Sequence, residues 1–220
     1  MNAELFPRSR TEVAPGAVHL PDWVDPGRQR ELLAACRDWS RPPAGLRTVR
    51  TPGGGTMTSR QVCLGWHWYP YGYARTVVDG DGSPVKPFPE WLGELGRHAV
   101  ADAFGGDEAF EGEPTAPYDI ALINFYDADA RMGMHRDSDE KSDAPVVSLS
   151  LGDTCVFRFG NTQSRTRPYT DVELRSGDLF VFGGPARLAY HGVPRVHPGT
   201  APPELGLTGR LNITLRASGF

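Results

Sequence analysis

APVVSLSLGDTCVFRFGNTQSRTRPYTDVELRSGDLFVF, residues 144–182, decides the fold class. It holds four short runs rich in β-branched and aromatic residues: Val146–Leu151, Cys155–Phe159, Val172–Leu174 and Asp178–Phe182. Turn signals such as Ser176-Gly177-Asp178 separate them, and no 3.6-residue period runs through any of them. Outward in both directions the pattern continues. Tyr118–Tyr126, Leu188–Val193 and Arg210–Arg216 also read as strands, with Gly183-Gly184-Pro185 as a further turn. Many short strands without intervening helices predict a β-sandwich or jelly roll.

The first half reads differently. Pro26 to Trp39 carries Leu32, Leu33, Cys36 and Trp39 at helical spacing behind an early proline. Glu90 to Phe104 is a second helix, with Trp91, Leu92, Leu95 and Val100 apolar and Gly105-Gly106 as its stop. Between them lies an aromatic-rich stretch punctuated by Gly and Pro, expected to form hairpins and loops. The architecture expected is α+β, a β core with helices on one side. We read residues 1–220 as a single domain, with 1–115 forming helices and a lid and 116–220 the core.

Composition narrows the class. With 220 residues, 39% hydrophobic and 23% charged, the chain suits one globular domain. No apolar run reaches bilayer length, and Met1 to Arg10 lacks the apolar centre of a secretion signal. The expectation is a cytoplasmic protein without a membrane role. Cys36, Cys63 and Cys155 are widely spaced, which argues against a disulfide framework or a thiolate zinc site and for small buried residues. Net charge is −4, so no global attraction to nucleic acid is indicated. Yet Arg41 to Val78 contains no Asp or Glu and holds Arg41, Arg47, Arg50, Arg60 and Arg75. That segment reads either as an anion-binding surface or as a solvated loop.

Two constellations carry chemistry. His135-Arg136-Asp137 places two ligand-type side chains at i and i+2, on one face if extended, and His191 lies on the strand-like run Leu188–Val193. Two imidazoles and a carboxylate are the protein part of a facial triad, which leaves positions on Fe(II) for an oxidant and a co-substrate. Taken alone, His-x-Asp is most often surface decoration. The second constellation is Arg210-Leu211-Asn212-Ile213-Thr214-Leu215-Arg216, in which Arg210, Asn212, Thr214 and Arg216 share one face. Two guanidiniums facing a core require an anion, and a planar donor pair matches a carboxylate. The alternation by itself also fits an amphipathic edge strand with its polar face in water. Asn124 and Tyr126, again at i and i+2, are candidates for further hydrogen bonds from a neighbouring strand. Together these residues read as a metal with a dianionic chelator.

With these pieces the stretch from roughly Thr51 to Gly219 closely resembles the AlkB-type demethylases. The matching motifs are Asn124-x-Tyr126, His135-x-Asp137-x-Asp139-Glu140, APVVSLSLG (Ala144–Gly152), RLAYHG (Arg187–Gly192) and Arg210-x-Asn212-x-Thr214-x-Arg216. TPGGGTM (Thr51–Met57), Trp66 and Gly72-Tyr73 are similar to that family's nucleotide-recognition lid. The resemblance implies a double-stranded β-helix (jelly-roll) core with flanking N-terminal helices and a hairpin/loop substrate lid. It implies His135, Asp137 and His191 as iron ligands, and Arg210, Asn212, Arg216, Asn124 and Tyr126 as the 2-oxoglutarate shell. Trp66, Tyr73, Asp139 and Arg165 are implied as substrate contacts, and Phe182 stands where relatives often carry Trp.

The implied activity is that of an Fe(II)-, 2-oxoglutarate- and O2-dependent dioxygenase. It would take the methyl group from N1-methyladenine- or N3-methylcytosine-type bases as formaldehyde, with succinate and CO2 as co-products. The implied partner is alkylated nucleic acid, single-stranded or with the base flipped, DNA in preference to RNA, met by a monomer. Two alternatives stand beside this reading. One is the same chemistry on RNA, tRNA or a small molecule; the other is a non-catalytic module that binds alkylated nucleic acid.

Overall fold

A computed structural model describes residues 7–51, 53–105 and 117–220, so that Gly106 and the division expected at 115/116 lie outside the described residues. It begins with a hairpin of β1 (Thr11–Ala14) and β2 (Ala17–Leu20), turned by Pro15-Gly16. Helix α1 (Pro26–Trp39) follows; Asp25 caps it by accepting from the Gly27 and Arg28 amides, and Pro26 opens it. Strands β3 (Arg47–Arg50), β4 (Thr56–Leu64), β5 (His67–Tyr69) and β6 (Gly72–Ala74) precede α2 (Glu90–Phe104). The second half supplies β7 (Ile120–Tyr126), β8 (Met132–His135), β9 (Val146–Gly152), β10 (Thr154–Phe159), β11 (Thr170–Leu174), β12 (Leu179–Phe182), β13 (His191–His197) and β14 (Arg210–Arg216).

These strands form an eight-stranded sheet in the order β1-β2-β12-β9-β14-β7-β4-β3 and a four-stranded sheet in the order β11-β10-β13-β8, with β5-β6 as a separate hairpin. Strands from both halves of the chain thus share the larger sheet. Its central strand β14 alternates as read from sequence. Leu211, Ile213 and Leu215 face α1 and α2, where Leu32, Leu33, Leu92 and Ala99 complete one core. Full burial of one such side chain contributes about 1.5–3 kcal/mol. At Gly96 of α2 an added Cβ would lie 2.9 Å from the Tyr118 ring, so the close approach of helix to sheet needs glycine.

The opposite face of the sheet meets the smaller sheet through aromatic packing. Phe157 and Phe180 have ring centroids 4.9 Å apart, and Phe159 and Phe182 5.5 Å apart. The architecture is the α+β jelly roll expected. Cys36, Cys63 and Cys155 are buried free thiols. Among the described residues no helix is long and apolar enough to cross a membrane.

Two features depart from the sequence reading. Residues 1–115, expected to form helices and a lid, also contribute strands to the core sheet: β2 pairs with β12 from Leu20↔Leu179 to Ala17↔Phe182. The strand expected over Leu188–Val193 begins only at His191, because a short helical turn at Gly184–Ala186 carries the chain through Leu188 to Tyr190 before pairing starts.

The N-terminal hairpin is stapled by Asp178, which is fully buried and accepts from Arg8 (Nη1, 2.7 Å), His19 (Nε2, 2.9 Å) and the Asp22 and Arg175 amides. Burial alone would raise its pKa, but these donors hold it down at about 2. Because the folded-state pKa is depressed, this stabilisation is complete above the usual carboxylate range and disappears as pH falls toward 2. Asp178→Ala strands Arg8 and His19 and should lower unfolding free energy by about 3 kcal/mol, read by chemical denaturation at neutral pH. An unchanged midpoint would show that the staple carries no stability.

Candidate active site

β8 and β13 are neighbours, and their register sets His135 opposite His191. Asp137 lies two residues beyond the end of β8. His135 Nε2 is 3.8 Å from Asp137 Oδ1, His191 Nε2 is 3.7 Å from Asp137 Oδ2, and the three donor atoms all lie within 4.8 Å of one another. Each imidazole is oriented by its own backbone: His135 Nδ1 donates to Gly133 O at 2.9 Å and His191 Nδ1 to Ala189 O at 3.0 Å. A carbonyl only accepts, so the proton sits on Nδ1 and the Nε2 lone pair is left for a metal. Burial lowers His191 to about 4, which keeps it neutral at physiological pH. Burial would raise Asp137, but Arg216 and the two imidazoles hold it at about 2, ionised. The donor set, mixed nitrogen and oxygen with no fourth protein ligand in the cluster among the described residues, fits Fe(II).

The cluster opens on a cavity of about 490 Å³. One wall is the polar face of β14 beside β7, where the register sets Arg210 opposite Tyr126 and Asn212 opposite Asn124. All four line the cavity. Arg210 is 1% exposed; Nη2 donates to Ser150 Oγ at 3.0 Å, while Nε and Nη1 have no partner among the described residues. A buried guanidinium with two unused donor positions is costly unless an anion fills them, so the site fits a carboxylate. Burial pushes the Tyr126 phenol up, leaving it a neutral hydroxyl whose one partner is the weak acceptor Met132 Sδ at 3.7 Å.

Arg216 differs from Arg210. Its Nη2 lies 2.6 Å from Asp137 Oδ1 and its Nη1 2.9 Å from Glu140 Oε1, so it is paired with acids from the protein itself. Asn212 is likewise engaged, donating to Ser148 Oγ and Leu149 O and accepting from Thr214.

At the cavity mouth the arrangement corrects the sequence reading. Trp66 and Tyr73 do not line the cavity; Trp68 and Tyr71 do. The reason lies at Gly65, whose φ of 77° turns the chain sharply beneath Asp119, where a Cβ would stand 1.9 Å from a carbonyl oxygen. Trp66 is thereby directed to Asp119 (3.0 Å from Nε1), under Arg75 and against Phe220. Tyr73 pairs across the hairpin with Trp68, but its hydroxyl is taken by Glu140 and Arg216. Trp68 instead donates from Nε1 to Asp139 Oδ2 at 2.9 Å, so an indole and a carboxylate form one corner of the mouth. Arg165 lines the cavity too, and with Arg136 it flanks the Tyr190 ring, at 5.8 and 5.4 Å.

The cationic segment resolves unevenly. Arg47 is tied to Asp79 and to the Trp68 carbonyl (2.6 Å), and Arg75, although exposed, is stacked on Trp66 and donates to the Gly65 carbonyl, so both brace the lid. His67, buried and 2.6 Å from Asp79, completes that anchor. The aromatic run 66–73 suits a base-holding surface from its sequence, but Trp66 and Tyr73 were singled out from it in place of Trp68 and Tyr71, and Arg136 and Tyr190 were missed. The one available signal was that Trp68 lies directly opposite Tyr73 if the turn falls at Pro70-Tyr71.

The model of the 2OG-Fe(II) oxygenase superfamily matches residues 16–216. The chain is 37% identical over 208 residues to the alpha-ketoglutarate-dependent dioxygenase AlkB homolog of Caulobacter vibrioides, covering 93% of this chain and 88% of that protein. It is 32% identical over 221 residues to the DNA N(6)-methyladenine demethylase ALKBH1D of Arabidopsis thaliana, spanning 93% of this chain but only 50% of that longer protein. The solved structure of OsALKBH1 superposes with a TM-score of 0.83 at 32% identity, covering 94% of this chain and all of that one. The chain therefore belongs to the 2OG-Fe(II) oxygenase superfamily and, within it, to the AlkB-type dioxygenases, oxidoreductases that use Fe(II), 2-oxoglutarate and O2.

Proposed function

We propose that this chain oxidatively demethylates alkylated bases in nucleic acid, DNA in preference to RNA, in alkylation-damage repair. One juxtaposition supports the reading: the His135–Asp137–His191 cluster and Arg210, two of whose nitrogens have no partner among the described residues, share a cavity whose mouth is cornered by Trp68 and Asp139. In this reading His135, Asp137 and His191 hold Fe(II). Arg210 takes the distal carboxylate of 2-oxoglutarate, with Tyr126 and Asn124 beside it and Arg216 and Asn212 behind. When bound, the metal and co-substrate supply the oxidising equivalents, 2-oxoglutarate and O2 giving succinate and CO2 while the methyl carbon leaves as formaldehyde.

The protein's own contribution is placement. Trp68 offers a face on which a base stacks, and Asp139, held by the indole N–H through one oxygen, keeps the other for an exocyclic amine or a cationic base. Such a base must be flipped or unpaired to enter. Arg136 and Arg165 stand where flanking phosphates would pass, and no ion pair is formed by either among the described residues. Met57, Met132, Phe157 and Phe182 give the cavity part of its apolar lining. The same reading treats residues 1–220 as one domain acting as a cytoplasmic monomer.

The name of the Arabidopsis relative raises N6-methyladenine as a second substrate, since its methyl group sits on the exocyclic nitrogen that Asp139 would meet. Formaldehyde release from DNA and RNA oligomers carrying N1-methyladenine, N3-methylcytosine or N6-methyladenine tests both. We expect the first two in DNA to be turned over; release from none of the six would end the demethylase reading. Trp68→Ala should weaken oligomer binding by about 1–3 kcal/mol, the worth of one stacked base. Trp66→Ala, outside the cavity, should do less, and a reversed order would return Trp66 to the pocket.

A further inference from the structure

Two motif residues, Glu140 and Arg187, have no part in the chemistry above, yet the fold brings them together. The Glu140 side chain is fully buried, at 0% exposure. Its Oε2 is 3.0 Å from Arg187 Nη2; its Oε1 is 2.9 Å from Arg216 Nη1 and accepts from the Tyr73 hydroxyl. Arg187 Nη1 donates to the Asp137 carbonyl at 2.7 Å, and its Nε to Ala144 O at 2.9 Å. Arg216 Nη2 closes the circuit on Asp137 Oδ1 at 2.6 Å. The result is a buried ring in which two carboxylates alternate with two guanidiniums: Asp137 side chain, Arg216, Glu140, Arg187, Asp137 backbone.

A ring of this kind holds each member by its neighbours. Arg216 cannot turn more fully onto Asp137, because its other nitrogen is held by Glu140. Its closest contact is Nη2 to Oδ1, at 2.6 Å, while Oδ2 faces His191 Nε2 at 3.7 Å. Without Glu140, two buried guanidiniums would face a single carboxylate, and Arg216 would compete with a metal for both of its oxygens. Tyr73 adds a second link, since it belongs to the β5–β6 hairpin that carries Trp68. We propose that Glu140 is a positioning residue for Asp137: through Arg216 it reserves one carboxylate oxygen and presents the other to the metal, and through Tyr73 it couples that orientation to the seating of the lid hairpin. The proposal rests on the assignment of Asp137 as a metal ligand, but not on any base substrate.

The test uses the full chain with Glu140→Gln and Tyr73→Phe. An amide keeps the shape but offers one acceptor where the ring needs two, so one arginine loses its partner. Anaerobic titration with Fe(II) gives metal affinity, and the weak visible charge-transfer band of the Fe(II)–2-oxoglutarate complex reports the ligand field. Glu140→Gln should reduce metal affinity by about 10–100-fold, the usual effect of losing an outer partner, and displace the band. Tyr73→Phe, which removes the two hydrogen bonds of the hydroxyl, to Glu140 and from Arg216, and leaves both ion pairs, should act in the same direction by no more than about fivefold. A purely structural Glu140 would lower the unfolding midpoint while the fraction that loads metal kept the wild-type affinity and band, and that result overturns the proposal. If Glu140→Gln does not fold, Tyr73→Phe decides, and wild-type affinity and band in that variant overturn it. Failure of the wild-type protein itself to bind Fe(II) overturns it together with the ligand assignment, whereas normal metal binding without demethylation sinks only the substrate reading.

Discussion

Arg210→Met is expected to raise the thermal stability of the ligand-free protein while weakening 2-oxoglutarate binding by about 100–1000-fold. The two effects have one cause. Arg210 is 1% exposed, with Nε and Nη1 unpartnered, so the folded protein carries a desolvated charge that only Ser150 partly satisfies. Replacing a buried charge by an apolar side chain of similar length commonly stabilises by about 1–4 kcal/mol. Truncating one partner of a buried charge pair costs a complex about 2–5 kcal/mol, which corresponds to the affinity loss expected here. Wild-type protein should gain melting temperature as 2-oxoglutarate is added with metal, because a ligand that binds only the native state stabilises it by mass action. The variant should start higher and gain little. A variant that starts lower, and still responds to 2-oxoglutarate, would mean that this guanidinium serves the fold and not a ligand.

Asp137→Ala should abolish 2-oxoglutarate turnover and reduce metal affinity by more than the about 100-fold that marks the upper end for losing an outer partner. The carboxylate is the single anionic donor in the cluster and is held ionised at about 2. Its removal leaves two imidazoles as donors and frees Arg216, 2.6 Å away, to repel the cation. The same change breaks the buried ring and should cost about 3–5 kcal/mol in stability, so binding is to be measured on protein shown to be folded by circular dichroism. Retention of 2-oxoglutarate decarboxylation would sink the ligand assignment. Retention of nucleic-acid binding alongside lost turnover separates an enzyme from a binding module, since a module would keep its main activity.

Much of this was legible before folding. β14 reads directly from its sequence, because strict alternation over Arg210–Arg216 separates a helix-facing side from a polar one whatever strand lies beside it. The bounds of α1 and α2 match their apolar periodicity and flanking proline and glycine, which are local signals. His135 and Asp137 stood out only in company with His191 and the β14 motif, since His-x-Asp spacing taken alone is most often surface decoration. Less legible were the short β5 and β6, where three residues give too few side chains to establish a face. The N-terminal hairpin was missed because its four-residue strands acquire their identity from pairing with β12.

The sequence by itself determined the strand-rich class, the two helices, the His–Asp–His donor set and a cationic, amide-bearing face on β14. Those follow from residue type and short-range period, which the chain carries wherever it goes. Only the tertiary structure decided that two Arg210 nitrogens are left without a partner among the described residues while Arg216 is shared between Asp137 and Glu140, and that Trp68, not Trp66, looks into the cavity. Those outcomes depend on partners 76 residues away, as for Arg216 and Glu140, and on a turn at Gly65 whose direction is imposed by Asp119. Which of two identical side chains is neutralised is settled by what the fold sets beside it, and no local pattern encodes that.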